Sequence, residues 1–331
     1  RMSMATASGT ALMRRNSGML RQSIWIDAMG FTWEKITYRG SAAAEITGYE
    51  GKLPDLKIPE EMEGLPVRSI AAHAFSGRPD IRSVVLPESL VTMHLFAFYN
   101  CPRLETMELC NSADDYYDGV IRQCPLLRTI TVRCVQPENY VVIRSMLQDV
   151  DVTLTFRLLD PEGRERIRLT FPEYVNEAKE DTMARAIHFS IEGAGMAYRE
   201  CVGKRTLDLA GYDRLLGRLT DYDFDVAARI AFGRLLYPEG LSEQAEGGYE
   251  TFLRDNDEKT LRFLIREDEE HSSMEEIRLM TGRSLIGEEG LKSALEEASE
   301  LGRSEVCSAL MEYRAQSGSG SGAGETLRLD W

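Results

Sequence analysis

Between residues 53 and 136 apolar side chains recur in one rhythm, Leu-x-x-Leu-x-Leu, with small or polar residues between them. Ile81, Val84 and Leu86 are followed by Leu104, Met107 and Leu109, then by Leu127, Ile130 and Val132, at a constant interval of 23 residues. The segments RPDIRSVVLPESL (78–90), CPRLETMELCNSA (101–113) and CPLLRTITVRCVQ (124–136) align without gaps, as do the stretches that end at Phe75, Phe98 and Ile121. The alternating half of each copy predicts a short strand with one buried face, and the remainder predicts a turn and a return segment leading to the next strand. A looser copy, LPDLKIP, puts Leu53, Leu56 and Ile58 in the same roles. The outward positions are then Asp55 and Lys57, Ser83 and Val85, Thr106 and Glu108, Thr129 and Thr131, which form either a solvated face or a shallow peptide-binding surface.

Beyond Val152 the pattern changes. VTLTFRLLDPEGRERIRLTF alternates on both sides of Asp160-Pro161-Glu162-Gly163, which predicts a β-hairpin capping the repeat sheet. The rest reads as short helices near 175–200, 206–219, 224–237, 242–255, 258–267, 273–282, 288–301 and 304–314. Asp223 or Asp225 is placed to cap the third, Pro238 to stop it, and Gly302 to separate the last two. Short helices with short turns predict stacked antiparallel pairs.

The residues of the first half carry a family resemblance. EITGYEG (45–51), KIPEEMEGLPVRSI (57–70), AFSGRPDIRSVVLPESL and AFYNCPRLETMEL resemble the BspA-type leucine-rich repeats, a bacterial family, over about residues 31–135. The resemblance implies a solenoid that presents a parallel-sheet face to partners, and it implies no reaction. In the third copy DDYYDGVI departs from the family pattern, which predicts a distorted repeat. GLKSALEEASELGRSEVCSALMEYRA resembles the two helices of an ankyrin repeat, with Ala294, Leu295 and Ala298 in the first and Val306, Leu310 and Met311 in the second; DNDEKTLRFLIRED is similar to another second helix. The expected fold class is therefore an α+β repeat protein, a leucine-rich-repeat solenoid with a capping β-hairpin followed by an ankyrin-like helical array. Its expected divisions are an N-terminal cap or vector remnant (1–30), the repeat domain with its hairpin (31–172), the helical domain (173–316), a Ser/Gly linker (317–322) and a fused peptide (323–331).

Charge narrows the function. With 54 acidic and 39 basic residues the net charge is -15, which repels phosphate backbones and argues against nucleic-acid or membrane partners. No stretch has the length of a membrane span, and the first 30 residues lack an apolar signal core, so cytoplasmic residence is expected. The six cysteines show no CxxC pair and read as reduced, mostly buried thiols. His73, His94, His188 and His271 are too scattered for a metal or nucleophilic site. DYDFDV (221–226) lacks the Gly and Glu of an EF-hand, and EGAGMAYR (192–199) lacks the strand and third glycine of a dinucleotide loop, leaving a small-residue helix contact as its better reading. Neither a cofactor nor an enzymatic activity is expected.

The end of the chain supplies the sharper expectation. SGSGSG has the composition of a flexible linker, and the nine residues AGETLRLDW after it place Leu327, Leu329 and Trp331 on one face of an extended segment. An engineered fusion of a weak peptide ligand has this layout, because a short linker raises the ligand's effective concentration. The partner expected is thus a peptide segment of another protein, with Leu327, Leu329 and Trp331 as its anchors. Arg262 and Arg266, an i, i+4 pair, or the neighbours Tyr198 and Arg199 are the candidate receiving residues. The alternatives are cell-surface adhesion, implied by the repeat resemblance, and an enzyme whose site no motif reveals.

Overall fold

The leucine rhythm becomes a parallel sheet whose register follows the sequence spacing. The computed structural model describes residues 25–26, 30–181, 186–219, 223–267 and 273–319, and the chain divides into two units, one ending at Leu215 and one beginning at Leu216. In the first unit the strands in chain order are β1 (Trp25–Ile26), β2 (Phe31–Tyr38), β3 (Ser41–Tyr49), β4 (Asp55–Lys57), β5 (Glu61–Met62), β6 (Leu65–Ile70), β7 (Ser83–Val85), β8 (Thr92–Met93), β9 (Thr106–Cys110), β10 (Asp115–Tyr116) and β11 (Thr129–Arg133). They continue, after helix α1 (Val141–Asp149), with β12 (Leu154–Leu159), β13 (Glu165–Phe171), β14 (Val175–Asp181) and β15 (Ala186–Glu192).

One sheet runs β13-β12-β11-β9-β7-β4, with every pair from β4 to β12 parallel and β13 antiparallel at the end. Its inward side chains, among them Leu56, Val84, Met107, Ile130 and Phe156, are 0–2% exposed, so the core lies directly beneath the repeat strands. Leu53 is only half-buried and does not fill the role its spacing suggested. The return segments make a second sheet in which β3, β6, β8 and β10 run parallel and the β2–β3 hairpin closes the N-terminal side.

Between the sheets the turns stack by backbone hydrogen bonds. The amides of His73, Phe75 and Gly77 donate to the carbonyls of Leu95, Ala97 and Tyr99, and those of Phe96, Phe98 and Asn100 donate to Asp118, Val120 and Arg122. The rings of Phe75 and Phe98 stack 5.0 Å apart and only 7° from parallel. Positive φ recurs at matched positions, His73, Phe96 and Gly119, then Gly77, Asn100 and Gln123. The third copy therefore keeps the ladder: DDYYDGVI changes the side chains, and Gly119 supplies the left-handed turn that His73 and Phe96 adopt before it. The expected distortion is absent from that backbone.

The remainder of the first unit departs from expectation. The predicted helix over 175–200 is instead the antiparallel β14–β15 hairpin followed by a short helix, α2 (Gly195–Glu200). Its sequence AIHFSIE places Ile187, Phe189 and Ile191 at alternate positions, a strand period that competes with the helical one. α2 and α3 (Leu209–Asp213) belong to the first unit, so the helical half begins at Leu216 rather than near 173. A Cβ on Gly195 would lie 2.2 Å from the Pro172 carbonyl, which explains the glycine as a close helix-to-backbone contact.

In the second unit the predicted helices form close to their expected limits: α4 (Phe224–Leu236), α5 (Glu243–Asp255), α6 (Asp257–Arg266), α7 (Met274–Gly282), α8 (Glu288–Glu300) and α9 (Ser304–Ser319). Asp223 stands at the N-terminal boundary of α4 and Ser242 caps α5 by accepting from the Ala245 amide. Asp257, at the start of α6, accepts the Gly287 amide at 2.7 Å, and Arg266 in the last turn of α6 meets Glu297 near the end of α8, so the two helices run side by side in one direction. Gly302, with φ +69°, turns the chain from α8 into α9. Helix α9 continues to Ser319, into the Ser/Gly run that the sequence reads as linker.

Candidate functional site

The outward face of the β4–β13 sheet is the surface that the repeats build by register alone. Asp55, Ser83, Thr106, Thr129, Thr155 and Thr170 occupy one row, each paired with the next across neighbouring strands. Lys57, Val85, Glu108, Thr131, Arg157 and Arg168 form the adjacent row. The expected outward positions from Asp55 to Thr131 are thus adjacent in space as the sequence implied. Thr155 and Arg157 extend them, and their signal was present, since VTLTFRLL repeats the alternation of the preceding strands, whereas Thr170, opposite Thr155 on β13, is buried at 1% exposure.

Polar atoms on this face are partly engaged. Ser83 donates to Asp55 at 2.8 Å, the Thr155 and Thr170 hydroxyls are 2.9 Å apart, and among the described residues no hydrogen bond engages the hydroxyls of Thr106 and Thr129. At the β12–β13 end Arg157 and Arg168 converge on the Glu165 carboxylate, at 2.6 and 2.7 Å. Burial would raise the Glu165 pKa, but hydrogen bonds and charge from Arg168 and Arg157 bring it below the usual carboxylate value. Arg133 pairs with Glu88 and lies 3.9 Å from Glu108. The face therefore offers a row of hydroxyls at strand spacing beside a row that runs from a carboxylate, Glu108, through Thr131 to a guanidinium, Arg157.

The two alternative receiving pairs expected from sequence differ in exposure. Tyr198 is 0% exposed and packs edge-on against Tyr212, with ring centroids 4.8 Å apart. Arg199 is 6% exposed; its guanidinium donates to the carbonyls of Pro172, Gly195, Val150 and Val152 and lies over the Tyr174 ring. Desolvation lowers its pKa to about 10, so it stays charged at neutral pH. Both side chains belong to the interior and neither faces a peptide in solution; adjacency in sequence suggested a pair, but burial decided their use. Arg262 and Arg266 are exposed as expected, yet both bond to Glu297, and Arg262 also reaches Glu258 at 3.1 Å. Leu327, Leu329, Trp331 and the rest of the fused peptide lie outside the described residues, as does most of 1–30.

His94 meets Glu45 at 3.3 Å and His73 stacks on Phe96, while His271 and the side chain of His188 lie outside the described residues. Among the described residues no group of His, Cys, Asp and Glu is arranged to hold a metal, and no helix is long and apolar enough to cross a membrane.

No curated protein matches the chain. Among solved structures it is similar to a leucine-rich repeat protein from Bacteroides capillosus ATCC 29799, at 23% identity over 32% of this chain and 80% of that one, with a TM-score of 0.28. It is also similar to a leucine rich cell surface protein from Faecalibacterium prausnitzii A2-165, at 20% identity over 36% of this chain and 34% of that one, TM-score 0.28. A third is a leucine-rich repeat protein of T. pallidum, at 20% identity over 32% of this chain and 62% of that one, TM-score 0.25. Residues 49–156, from the end of β3 through the first half of β12, match the BspA type Leucine rich repeat region in six copies, which makes β12 a repeat strand as well as one arm of the closing hairpin.

Proposed function

We propose that this chain is a protein-interaction adaptor whose outward β4–β13 face takes a short, extended apolar segment of a partner protein, of the kind written in TLRLDW (326–331). The observation that carries the reading is the unbroken row Ser83, Thr106, Thr129 and Thr155, flanked by Glu108 and Arg157. Neighbouring strands are ~4.8 Å apart, which places Glu108 on β9 and Arg157 on β12 at roughly twice that distance. Arg328 and Asp330, two positions apart in an extended segment, are separated by about 7 Å. Side chains of this length close the difference, so Arg328 pairs with Glu108 and Asp330 with Arg157, with Leu327, Leu329 and Trp331 on the opposite side of the extended segment. The second unit is read as an ankyrin-like array that presents a further, acidic surface, and the whole as a cytoplasmic protein, in keeping with six cysteines that stand as free thiols.

The test is a titration of labelled AGETLRLDW onto the full chain carrying Trp331→Ala, followed by fluorescence anisotropy. Saturable binding is expected, weakened about tenfold or more by Thr129→Arg on the outward face. Binding that does not saturate removes the peptide as ligand, and binding indifferent to Thr129→Arg removes this face as its site.

A further inference from the structure

Two buried thiols lie one above the other in the turn stack. Cys101 and Cys124 are equivalent residues of consecutive copies, and both are essentially inaccessible. The bonds from the Phe98 amide to the Val120 carbonyl, at 2.8 Å, and from the Asn100 amide to Arg122, at 2.9 Å, hold the two turns in register immediately before the cysteines. Both thiols point the same way: Cys101 donates to the Phe75 carbonyl and Cys124 to the Phe98 carbonyl, each at 3.2 Å. Neighbouring turns stacked like strands lie ~4.8 Å apart, inside the range of roughly 4.4–6.8 Å between α-carbons that a disulfide spans. Each cysteine is followed by an exposed pair, Pro102–Arg103 and Pro125–Leu126, so a local opening of the turn uncovers the sulfur.

The two sulfurs are not chemically equivalent. Arg78 occupies the matched position of the preceding copy, where its guanidinium bonds the carbonyls of Tyr49 and Gly51 and the Asp80 carboxylate. The neighbouring Cys124, the Arg78 amide and the Arg78 charge hold the Cys101 thiol below its ordinary pKa despite its burial. The neighbouring Cys101 and desolvation push the pKa of Cys124 up.

We propose that Cys101 and Cys124 are a redox modification site, which hydroperoxides convert into a disulfide that staples consecutive repeats. The Cys101 thiolate displaces hydroxide from hydrogen peroxide and becomes a sulfenic acid. The Cys124 thiol then attacks that sulfur, forming the S–S bond and releasing water, so two thiols and one peroxide yield one disulfide and two waters. The two S–H···O bonds to Phe75 and Phe98 are lost in exchange for a covalent link between the turns. In a reducing compartment such a bond is transient.

The experiment treats the folded full chain with hydrogen peroxide, blocks residual thiols with N-ethylmaleimide and identifies tryptic peptides by mass spectrometry. Cleavage isolates Cys101 in 83–103 and Cys124 in 123–128, so the expected product is those two peptides joined, and reversed by dithiothreitol. Cys124→Ser is expected to leave a dimedone-reactive sulfenic acid on Cys101, whereas Cys101→Ser leaves Cys124 unmodified. The proposal is overturned if wild type keeps both cysteines alkylated while Cys134, Cys201 or Cys307 oxidises, or if the joined peptides appear only after the chain is unfolded in urea.

Discussion

Asp149 accepts the backbone amide of Gly119 at 2.9 Å, in the place that the carbonyls of Leu95 and Asp118 hold for His73 and Phe96 in the two preceding turns. Its other oxygen accepts the Tyr116 hydroxyl at 2.5 Å and the Ile121 amide at 3.4 Å. One carboxylate at the end of α1 thus closes a ladder that the next repeat would otherwise continue. Asp149→Ala leaves these buried donors unpaired and is expected to destabilise the first unit by about 3 kcal/mol, against about 1 for Asp149→Asn, which keeps one acceptor. Urea denaturation followed by circular dichroism measures both.

The same residue gives the unit a pH signature. Burial raises the Asp149 pKa, outweighing the bonds from Tyr116, Gly119 and Ile121 and the charge of Arg122. A carboxyl whose folded pKa exceeds its unfolded value contributes stability below the unfolded value, here 3.8, and loses it as pH rises through the folded one. Wild type is therefore expected to lose stability relative to Asp149→Asn as pH rises above 3.8. A difference that grows with pH would contradict this environment.

Two glycines separate backbone strain from steric conflict. Gly77 and Gly119 both have φ near +70°, but a Cβ on Gly77 meets nothing within 4 Å, whereas one on Gly119 would sit 2.4 Å from the Phe96 ring. Gly77→Ala is expected to cost about 1 kcal/mol, the left-handed penalty alone. Gly119→Ala is expected to cost roughly 2–4 kcal/mol, because the ring must also leave its stack on His73. Equal losses in thermal denaturation would mean that Phe96 yields freely.

How much of this was legible follows from period. The repeat strands and their outward pairs were readable because a period of two, carried through matched copies, fixes both register and face. The helices of the second unit were readable because breakers such as Pro238 and Gly302 bound them. The second sheet was hidden because β8 and β10 are too short to show alternation, and their backbones pair only when the copies stack. Asp149 was hidden for a related reason: its partners lie near 30 residues away, and an acidic residue ending a helix looks like solvated surface until the missing repeat above Gly119 is seen. At 175–192 the alternation of Ile187, Phe189 and Ile191 carries a strand period that the helical reading of 175–200 passed over.

Arg199 tests burial against recognition. Its guanidinium joins the loop after α1 to the end of β13 by donating to the carbonyls of Val150, Val152 and Pro172. Arg199→Lys retains the charge but not the planar fork, and Arg199→Ala exposes several carbonyls to a cavity. Losses of about 2 and about 4 kcal/mol respectively are expected in the unfolding of the first unit. At temperatures where the variants remain folded, their affinity for AGETLRLDW is expected to equal that of wild type. Reduced affinity at unchanged stability would return Arg199 to the binding surface.

Arg262 and Arg266 make the complementary case in the second unit. Both are exposed and both meet Glu297, whose side chain is largely covered. Exposed pairs of this kind contribute little, so each arginine-to-alanine change is expected to cost about 0.5 kcal/mol or less, with the coupling to Glu297 falling as salt rises from 50 to about 500 mM. Glu297→Ala is expected to cost about 1 kcal/mol, since it releases two guanidinium groups at once. Peptide affinity separates the two surfaces: with the outward sheet face as the site, Arg262→Ala and Arg266→Ala leave AGETLRLDW binding unchanged. A tenfold loss in either variant, measured by the same anisotropy titration, would move the site from the hydroxyl row of the repeats to the α6–α8 surface of the helical unit.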